Sequence, residues 1–291
     1  MDISVIVPFH NEEKYIEKCI RALLFQDYPK DKYQVIMVNN NSTDRSAGIV
    51  QKYQGITLLE EKKAGSYAAR NRGIAGSRGK IIAFTDSDCA PQRDWLYKIS
   101  TVMRDSKTQL VQGRVRFGER GSLLSLLEAY ENEKAAYVYS SYKREFYYGY
   151  TNNMAVRKEL FENLGNFVEI MRGGDTVFLH KVLDRYSCEA VQHSPEICVL
   201  HLEIDSMFKY FLKNYTYGRS CRNLEKIAPS MPLTTSERVT ILRRVIRKNR
   251  FSMKEHILLL FLLFSGSVLF ELGQLKASFG SASKQSSPGL S

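Results

Sequence analysis

Four short runs carry the main constraint: residues 3–8 (ISVIVP), 34–38 (QVIMV), 56–59 (ITLL) and 81–85 (IIAFT) are mostly apolar and rich in β-branched side chains. Mostly apolar runs of this length, without alternation, are the pattern of strands buried on both faces. The intervals between them are helical in pattern. Residues 12–26 put Ile16, Ile20, Leu23 and Leu24 on one stripe, residues 42–53 open on Ser-Thr-Asp as a cap, and residues 66–76 are rich in Ala and Arg. Strands joined through helices cannot be hairpins, so an α/β fold with a doubly wound, mostly parallel sheet is expected. Such sheets take ligands beyond the carboxyl ends of their strands, which directs attention to Pro8–Glu13, Asn39–Asp44 and Asp86–Pro91.

After about residue 105 the texture changes. A strand near Leu110–Phe117 precedes a long helical stretch, Leu123–Tyr142, then an aromatic segment around Tyr137, Tyr139, Tyr142, Phe146, Tyr147, Tyr148 and Tyr150, and a helix over Asp175–Tyr186. The aromatics could stack on a sugar acceptor or lie along a lipid tail, but clusters of this kind are more often core with polar tips at the surface. No Pro/Gly/Ser-rich linker divides residues 1–230, and a Ser/Gly-rich stretch at 276–291 reads as a disordered tail.

Charge matters for its placement. The chain of 291 residues has 42 Lys and Arg against 31 Asp and Glu, a net +11. Seven of the seventeen residues from Arg238 to Lys254 are basic, none is acidic, and the apolar run Ile257–Phe270 follows at once. Nucleic acid would want a basic face with base-reading groups, whereas basic residues beside an apolar segment suit an anionic lipid surface. Fourteen residues make about 21 Å of helix against roughly 30 Å of hydrocarbon, so a helix lying in one leaflet is expected rather than a span; a buried helix or an oligomer contact is the alternative. Cys19, Cys89, Cys188, Cys198 and Cys221 form no CxxC pair or zinc spacing, and MDISVIVPFHNEE runs straight into a strand, so a reducing, cytoplasmic setting without a secretory leader is expected.

The sharpest chemical signal is Asp86-Ser87-Asp88, two carboxylates one residue apart directly after the fourth strand. Both can turn to one ligand at a strand end, and hard oxygen donors suit Mg or Mn. Such a cation can offset the charge on a departing diphosphate. A solvated turn with Asp88 capping the next helix is the plainer alternative.

The neighbouring segments agree. VIVPFHNEE, VNNNSTDRS, GSYAARNRGIAGSRGKIIAFTDSDC and TNNMAVRKELFENLGNFVEIMRGGDTVFLHKV, in this order across roughly residues 1–202, together resemble the family 2 glycosyltransferases. The resemblance implies a Rossmann-like GT-A fold, a nucleoside-diphosphate-sugar donor and a divalent cation. It makes residues 1–105 the nucleotide-sugar half and 106–230 the acceptor half of one domain, and the basic and apolar stretches above make 231–275 a basic and hydrophobic, membrane-associating helical appendage.

Carried over position by position, the resemblance puts Pro8, His10 and Glu12 around the nucleoside, and Asn39 where the family usually has an Asp that accepts from the base. VNNNS replaces the common VDDGS here, so that acceptance would lack charge assistance; a turn tolerating left-handed backbone is the plainer alternative. Gly65 would let backbone approach the donor, and Lys63 or Arg70 would face the diphosphate. Asp86 would contact ribose or assist the metal, while Asp88 and, as in some members, His201 would ligate it. Asp175 falls on the position of the catalytic base, though a mere first-turn acid would also be favoured there by the helix dipole. The usual Glu before it is Gly174, and no QxxRW motif occurs; the corresponding region reads KNYTYGRSCRN, which disfavours a polymerising synthase.

The expectation is therefore an inverting, metal-dependent transferase acting on a sugar or lipid-linked acceptor at the inner face of the cytoplasmic membrane. A nucleotidyltransferase is disfavoured because the loop PFHNEE lacks glycine. A catalytically inactive scaffold of the same fold is disfavoured because the acids are present.

Overall fold

The computed structural model describes residues 1–117, 122–224 and 231–285, with side chains described to 220 and to 277 in the later two segments. In chain order the strands are β1 (Ile3–Phe9), β2 (Tyr33–Asn39), β3 (Ile56–Glu60), β4 (Ile81–Thr85), β5 (Cys89–Pro91), β6 (Leu110–Arg116), β7 (Asn153–Arg157) and β8 (Val191–His201). The α-helices are α1 (Ile16–Leu24), α2 (Ser46–Val50), α3 (Ser66–Ala75), α4 (Trp95–Val102), α5 (Leu123–Ser140), α6 (Glu159–Leu164), α7 (Gly174–Arg185), α8 (Met207–Leu224), α9 (Thr235–Asn249) and α10 (Met253–Gln285).

One mixed sheet runs in the order β3-β2-β1-β4-β7-β6-β8-β5. The first four strands are parallel, as their apolar runs imply; β7 is antiparallel to both β4 and β6, and β5 is antiparallel to β8. Chain order reverses at β1, between β2 and β4, which is where an open α/β sheet binds ligands. Both faces are covered. Ile3, Val5 and Val7 of β1 pack with Ile16, Ile20 and Leu23 of α1 and Trp95 of α4, while Ile6, Ile36 and Phe84 pack with Ala69 and Ile74 of α3 and with Phe161, Phe167 and Phe178.

Two early helices are shorter than their patterns suggest, for one reason. The Glu12 and Glu13 amides are bound by the Ser46 hydroxyl and the Asp44 carboxylate, and the amides of Ser42 and Thr43 by the side-chain oxygens of Asn39 and Asn11. These loop-to-loop bonds hold residues 11–15 and 41–45 as turns and bends that fasten the two loops together, so the regular helices begin after them. The aromatic segment is largely core: Tyr139, Phe146 and Tyr147 are buried, and Tyr142 is 65% exposed.

The C-terminal segment differs most. The apolar run is the middle of a helix that begins at Met253 and continues to Gln285, so its length is not the short one expected. Its Met253–Ala277 portion, 25 residues or about 37 Å, is long and apolar enough to cross a membrane. The tail expected to be disordered from 276 starts inside this helix, and residues 286–291 lie outside the described residues. Along α8 the two backbones approach closely: a Cβ on Gly218 would strike the Phe270 carbonyl.

One buried amide on β7 joins α4 to β6 and β8. Asn153 on β7 accepts from Trp95 Nε1 at 2.8 Å and donates to the carbonyls of Arg114 at 2.8 Å and Ile197 at 2.9 Å. Asn153→Ala leaves an indole N–H and two carbonyls unpaired in the core, so urea unfolding should show a loss of about 3 kcal/mol or more. A loss under about 1 kcal/mol would mean water replaces the amide.

Candidate functional site

The loops after β1, β2 and β4 meet at the switch point. Pro8 is buried in β1 opposite Val38, just past the last register pair with β4, Ile6 and Phe84, where its missing N–H is tolerated. His10 is exposed, with Nδ1 2.7 Å from the Asn40 carbonyl. Asn11, at φ 56, binds the next loop: its Oδ1 accepts from the Thr43 amide at 2.8 Å. The Asn11, Glu12 and Glu13 amides are all consumed by Ser42, Ser46 and Asp44. No free row of N–H groups remains in this loop to cradle a triphosphate, which removes the main structural support for a nucleotidyltransferase.

Asn39 is saturated differently from expectation. Its amide nitrogen donates to Glu60 at 2.9 Å and its oxygen accepts from the Ser42 amide at 3.0 Å, so it builds the turn, with Asn41 left-handed at φ 63. Its neighbour Asn40 fastens the following loop, donating to the Glu61 and Lys63 carbonyls and accepting from the Gly65 amide at 2.8 Å. Gly65 sits at φ 131 with open space around it, so backbone conformation is what requires glycine there.

Acids dominate the crevice. Asp86 pairs with Arg70 at 2.5 Å, and the guanidinium is nearly fully buried. Asp88 is buried and receives a 3.5 Å contact from the Cys89 thiol. The antiparallel pairing of Cys89 with His201 brings β8 alongside, and His201 Nδ1 lies 3.5 Å from Asp88 Oδ2. Asp88, Cys89 and His201 thus present three donor atoms within 4.8 Å of one another. Burial and the Asp86 charge push the Asp88 carboxyl up to about 7. Burial, then Asp88, Glu203, Asp86 and Asp44, push Glu12 up to about 8. Burial and Lys213 hold the His201 imidazole down at about 3, hence neutral.

These residues fit a divalent cation. His201 Nδ1 is buried without a hydrogen-bond partner while facing a carboxylate oxygen, and a carboxylate with a neutral imidazole is a suitable donor set. Burial keeps the Cys89 thiol protonated, which makes it a poor third ligand.

Asp175 opens α7 and is buried. Its oxygens accept from the Thr151 amide at 3.2 Å and the Thr176 amide at 2.9 Å, and the Tyr67 side chain interacts with the same carboxylate. Burial raises its pKa despite those bonds and the nearby Arg70 charge. Tyr67, Arg70 and Asn71 lie on one turn of α3, at i, i+3 and i+4. Tyr67 reaches Asp175, Arg70 reaches Asp86, and Asn71 bonds the Phe167 backbone through its Nδ2 at 2.9 Å and Oδ1 at 3.1 Å. One helical turn therefore holds the base candidate and the acidic pair in register.

Pro8, His10, Glu12, Gly65, Arg70, Asp86, Asp88 and His201 all belong to this crevice, and Asp175 adjoins it through α3. Lys63 pairs instead with Glu169 at 2.5 Å. Gly174 is explained sterically: a Cβ would come within 2.6 Å of the Val168 carbonyl, so no side chain fits there. Sequence reasoning missed Tyr67, Asn40 and Lys213. Only Tyr67 left a signal, standing three residues before Arg70 on an expected helix.

The acid cluster has a measurable consequence. From about pH 5 the folded protein retains protons that the unfolded chain has lost, on Asp88 up to about pH 7 and on Glu12 up to about pH 8, so stability falls as pH rises through that window. Glu12→Gln should flatten the fall in the chemical-denaturation midpoint; a variant with the wild-type slope would show that Glu12 does not titrate there.

Comparison with known proteins places this arrangement. The Glycosyl transferase family 2 profile matches residues 4–167. Glycosyltransferase AglE of Haloferax volcanii is 34% identical over 190 residues, 62% of this chain and 61% of AglE. Poly(ribitol-phosphate) beta-N-acetylglucosaminyltransferase TarS of Staphylococcus aureus is 38% identical over 93 residues, 30% of this chain and 16% of TarS. The chain thus spans less than two thirds of either relative. Among solved structures, mannosyltransferase PcManGT of Pyrobaculum calidifontis, in complex with GDP-Man and Mn2+, superposes with a TM-score of 0.63 at 20% identity, covering 99% of this chain and 76% of PcManGT. TarS residues 1–349 in complex with UDP-GlcNAc superposes at 0.55 and 17% identity, covering 96% and 92%. The fold is the GT-A fold.

Proposed function

Because this chain belongs to glycosyltransferase family 2, we propose that it is an inverting transferase moving a sugar from a nucleoside diphosphate to a hydroxyl acceptor in polysaccharide or glycolipid assembly. The carrying observation is the single turn of α3 that ties Asp175 to Asp86 through Tyr67 and Arg70. That coupling sets a buried base beside an acidic, cation-ready crevice at the switch point.

Asp88 and His201 would hold Mg or Mn, and the bound cation would offset charge developing on the diphosphate. Asp86, held by Arg70, is positioned to accept from the donor's ribose. Asp175 takes the proton of the acceptor hydroxyl as that oxygen bonds the anomeric carbon. The bond from that carbon to the diphosphate oxygen breaks on the opposite side, and its electron pair stays with the phosphate, so configuration inverts. Backbone amides hold both oxygens of Asp175, which fixes the orientation of the carboxylate. Its raised pKa makes Asp175 a stronger base than a solvated aspartate.

Asp175→Asn keeps the shape and loses the base. Transfer should drop by roughly 10²–10⁴-fold with diphosphate binding retained, as read by product formation and calorimetry. Transfer at the wild-type rate would remove Asp175 from this role.

The C-terminal helices support a membrane location. Exposed Ile257, Phe261 and Phe264 form a stripe on α10, and α9 with the residue that follows it exposes Arg243, Arg247, Lys248 and Arg250. The partner proposed is an anionic bilayer surface at the cytoplasmic face, with α10 lying along it. A crossing would drag the paired α8, which carries Lys209 and Arg219, into hydrocarbon. Flotation with phosphatidylglycerol-containing vesicles should recover the protein, phosphatidylcholine alone should recover less, and an Ile257→Ser/Phe261→Ser/Phe264→Ser variant should stay at the bottom. Equal recovery of the triple variant would contradict a lipid role for α10.

A further inference from the structure

Lys213, on α8, is a cation inside the acidic crevice that the reading above leaves without a task. Its ammonium lies 2.6 Å from His201 Nε2 and 3.7 Å from Glu203, with only about a quarter of its side chain exposed. It feels the charges of Asp88, Glu203 and Asp86. An ammonium has donors only, so Nε2 must be the acceptor in this contact. A neutral imidazole accepting at Nε2 carries its hydrogen at Nδ1, the atom that faces Asp88 Oδ2 at 3.5 Å.

A divalent cation on Nδ1 needs the lone pair of that nitrogen. The hydrogen then leaves Nδ1 and one is taken up at Nε2, with no net change in protons. Nε2 becomes a donor and can no longer accept from Lys213. The two cations are therefore alternatives on one imidazole. We infer that Lys213 is a two-position residue: it holds His201 in the ligand-free protein and, displaced when a divalent cation takes Nδ1, turns to a phosphate oxygen of the nucleoside diphosphate. This rests on the transferase reading.

The geometry supports the second position. Lys213 has a flexible four-carbon stem rooted on α8, whose backbone is packed against α10 at Gly218 and Gly273. Its root therefore stays in place while its tip moves. Glu203, the other acid within reach, is exposed and at 3.7 Å, so it competes weakly with a doubly charged ligand held beside Asp88. In the ligand-bound protein Lys213 adds a positive charge at the leaving oxygen. It is a donor-binding residue, and through His201 a positioning one.

The test separates this role from structural damage because it expects shifts of opposite sign. In full-length Lys213→Gln, Mn2+ alone should bind several-fold more tightly than in wild type, since the competing ammonium is gone; free Mn2+ is counted by its paramagnetic resonance. In the same variant the Mn2+ complex of whichever of UDP, GDP, dTDP or CDP the wild type binds should bind about tenfold more weakly by calorimetry. Lys213→Arg should restore most of that diphosphate affinity. Weakening of both ligands together, or an unchanged diphosphate affinity, would overturn the role of Lys213. If the wild type binds none of the four diphosphates with Mn2+, the transferase reading itself falls and this inference with it. Wild-type binding with an unaffected variant overturns the inference alone.

Discussion

The structure turns on the cost of crowding carboxylates where water is scarce. Glu12, Asp86 and Asp88 converge at the ends of β1 and β4, and Arg70 neutralises only Asp86. The remaining negative charge has no matching cation in contact: Lys213 is turned to His201. Burial and mutual repulsion therefore drive protons onto Glu12 and Asp88. A fold spends stability on such an arrangement where something positive is to be bound. The buried Nδ1 of His201, unpartnered and facing Asp88, points the same way.

Everything around the crevice keeps those acids in place. The β1 loop is tied to the β2 loop by Asn11, Ser42, Ser46 and Asp44, and Asn40 ties the β2 loop to the approach of α3. Asn153, on the antiparallel strand β7, binds α4 to β6 and to β8, the strand that delivers His201. Between β6 and β8 the register shifts at Gly113/Arg114, passing from Ser194 to Cys198, and the strand resumes in time to set His201 opposite Cys89. The third cluster of buried side chains, with Leu127, Ile241 and Leu259 at its centre, seats α9 and α10 against α5.

Much of this was legible in the chain. The apolar runs announce the parallel strands because a strand buried on both faces has no polar side to show, and the loops worth inspecting follow from that alone. Asp86, Asp88 and Arg70 could be named because they stand at a strand end and on an expected helix. The rest depends on long-range geometry. That Asn39 makes a turn while Asn40 clamps a loop is decided by Glu60, Glu61 and Lys63, twenty or more positions away. His201 meets Asp88 only because β5 and β8 pair, and β5 is three residues long, too short to leave a periodic trace. Lys213 was hidden inside a helix whose sequence reads as polar and aromatic. The length of α10 was missed because Ser265, Gly266 and Ser267 and the small residues after Leu275 mask a helix whose glycines serve close packing on α8.

The central claim is that Asp88 and His201 form the seat of a cation beside the diphosphate. Its most direct measurement is an anomalous-scattering map, at the manganese edge, from crystals grown with Mn2+ and a bound nucleoside diphosphate. The account predicts a single strong peak between Asp88 and His201, in contact with a phosphate oxygen. A bound nucleotide with no peak there, or with the peak away from both residues, would contradict it.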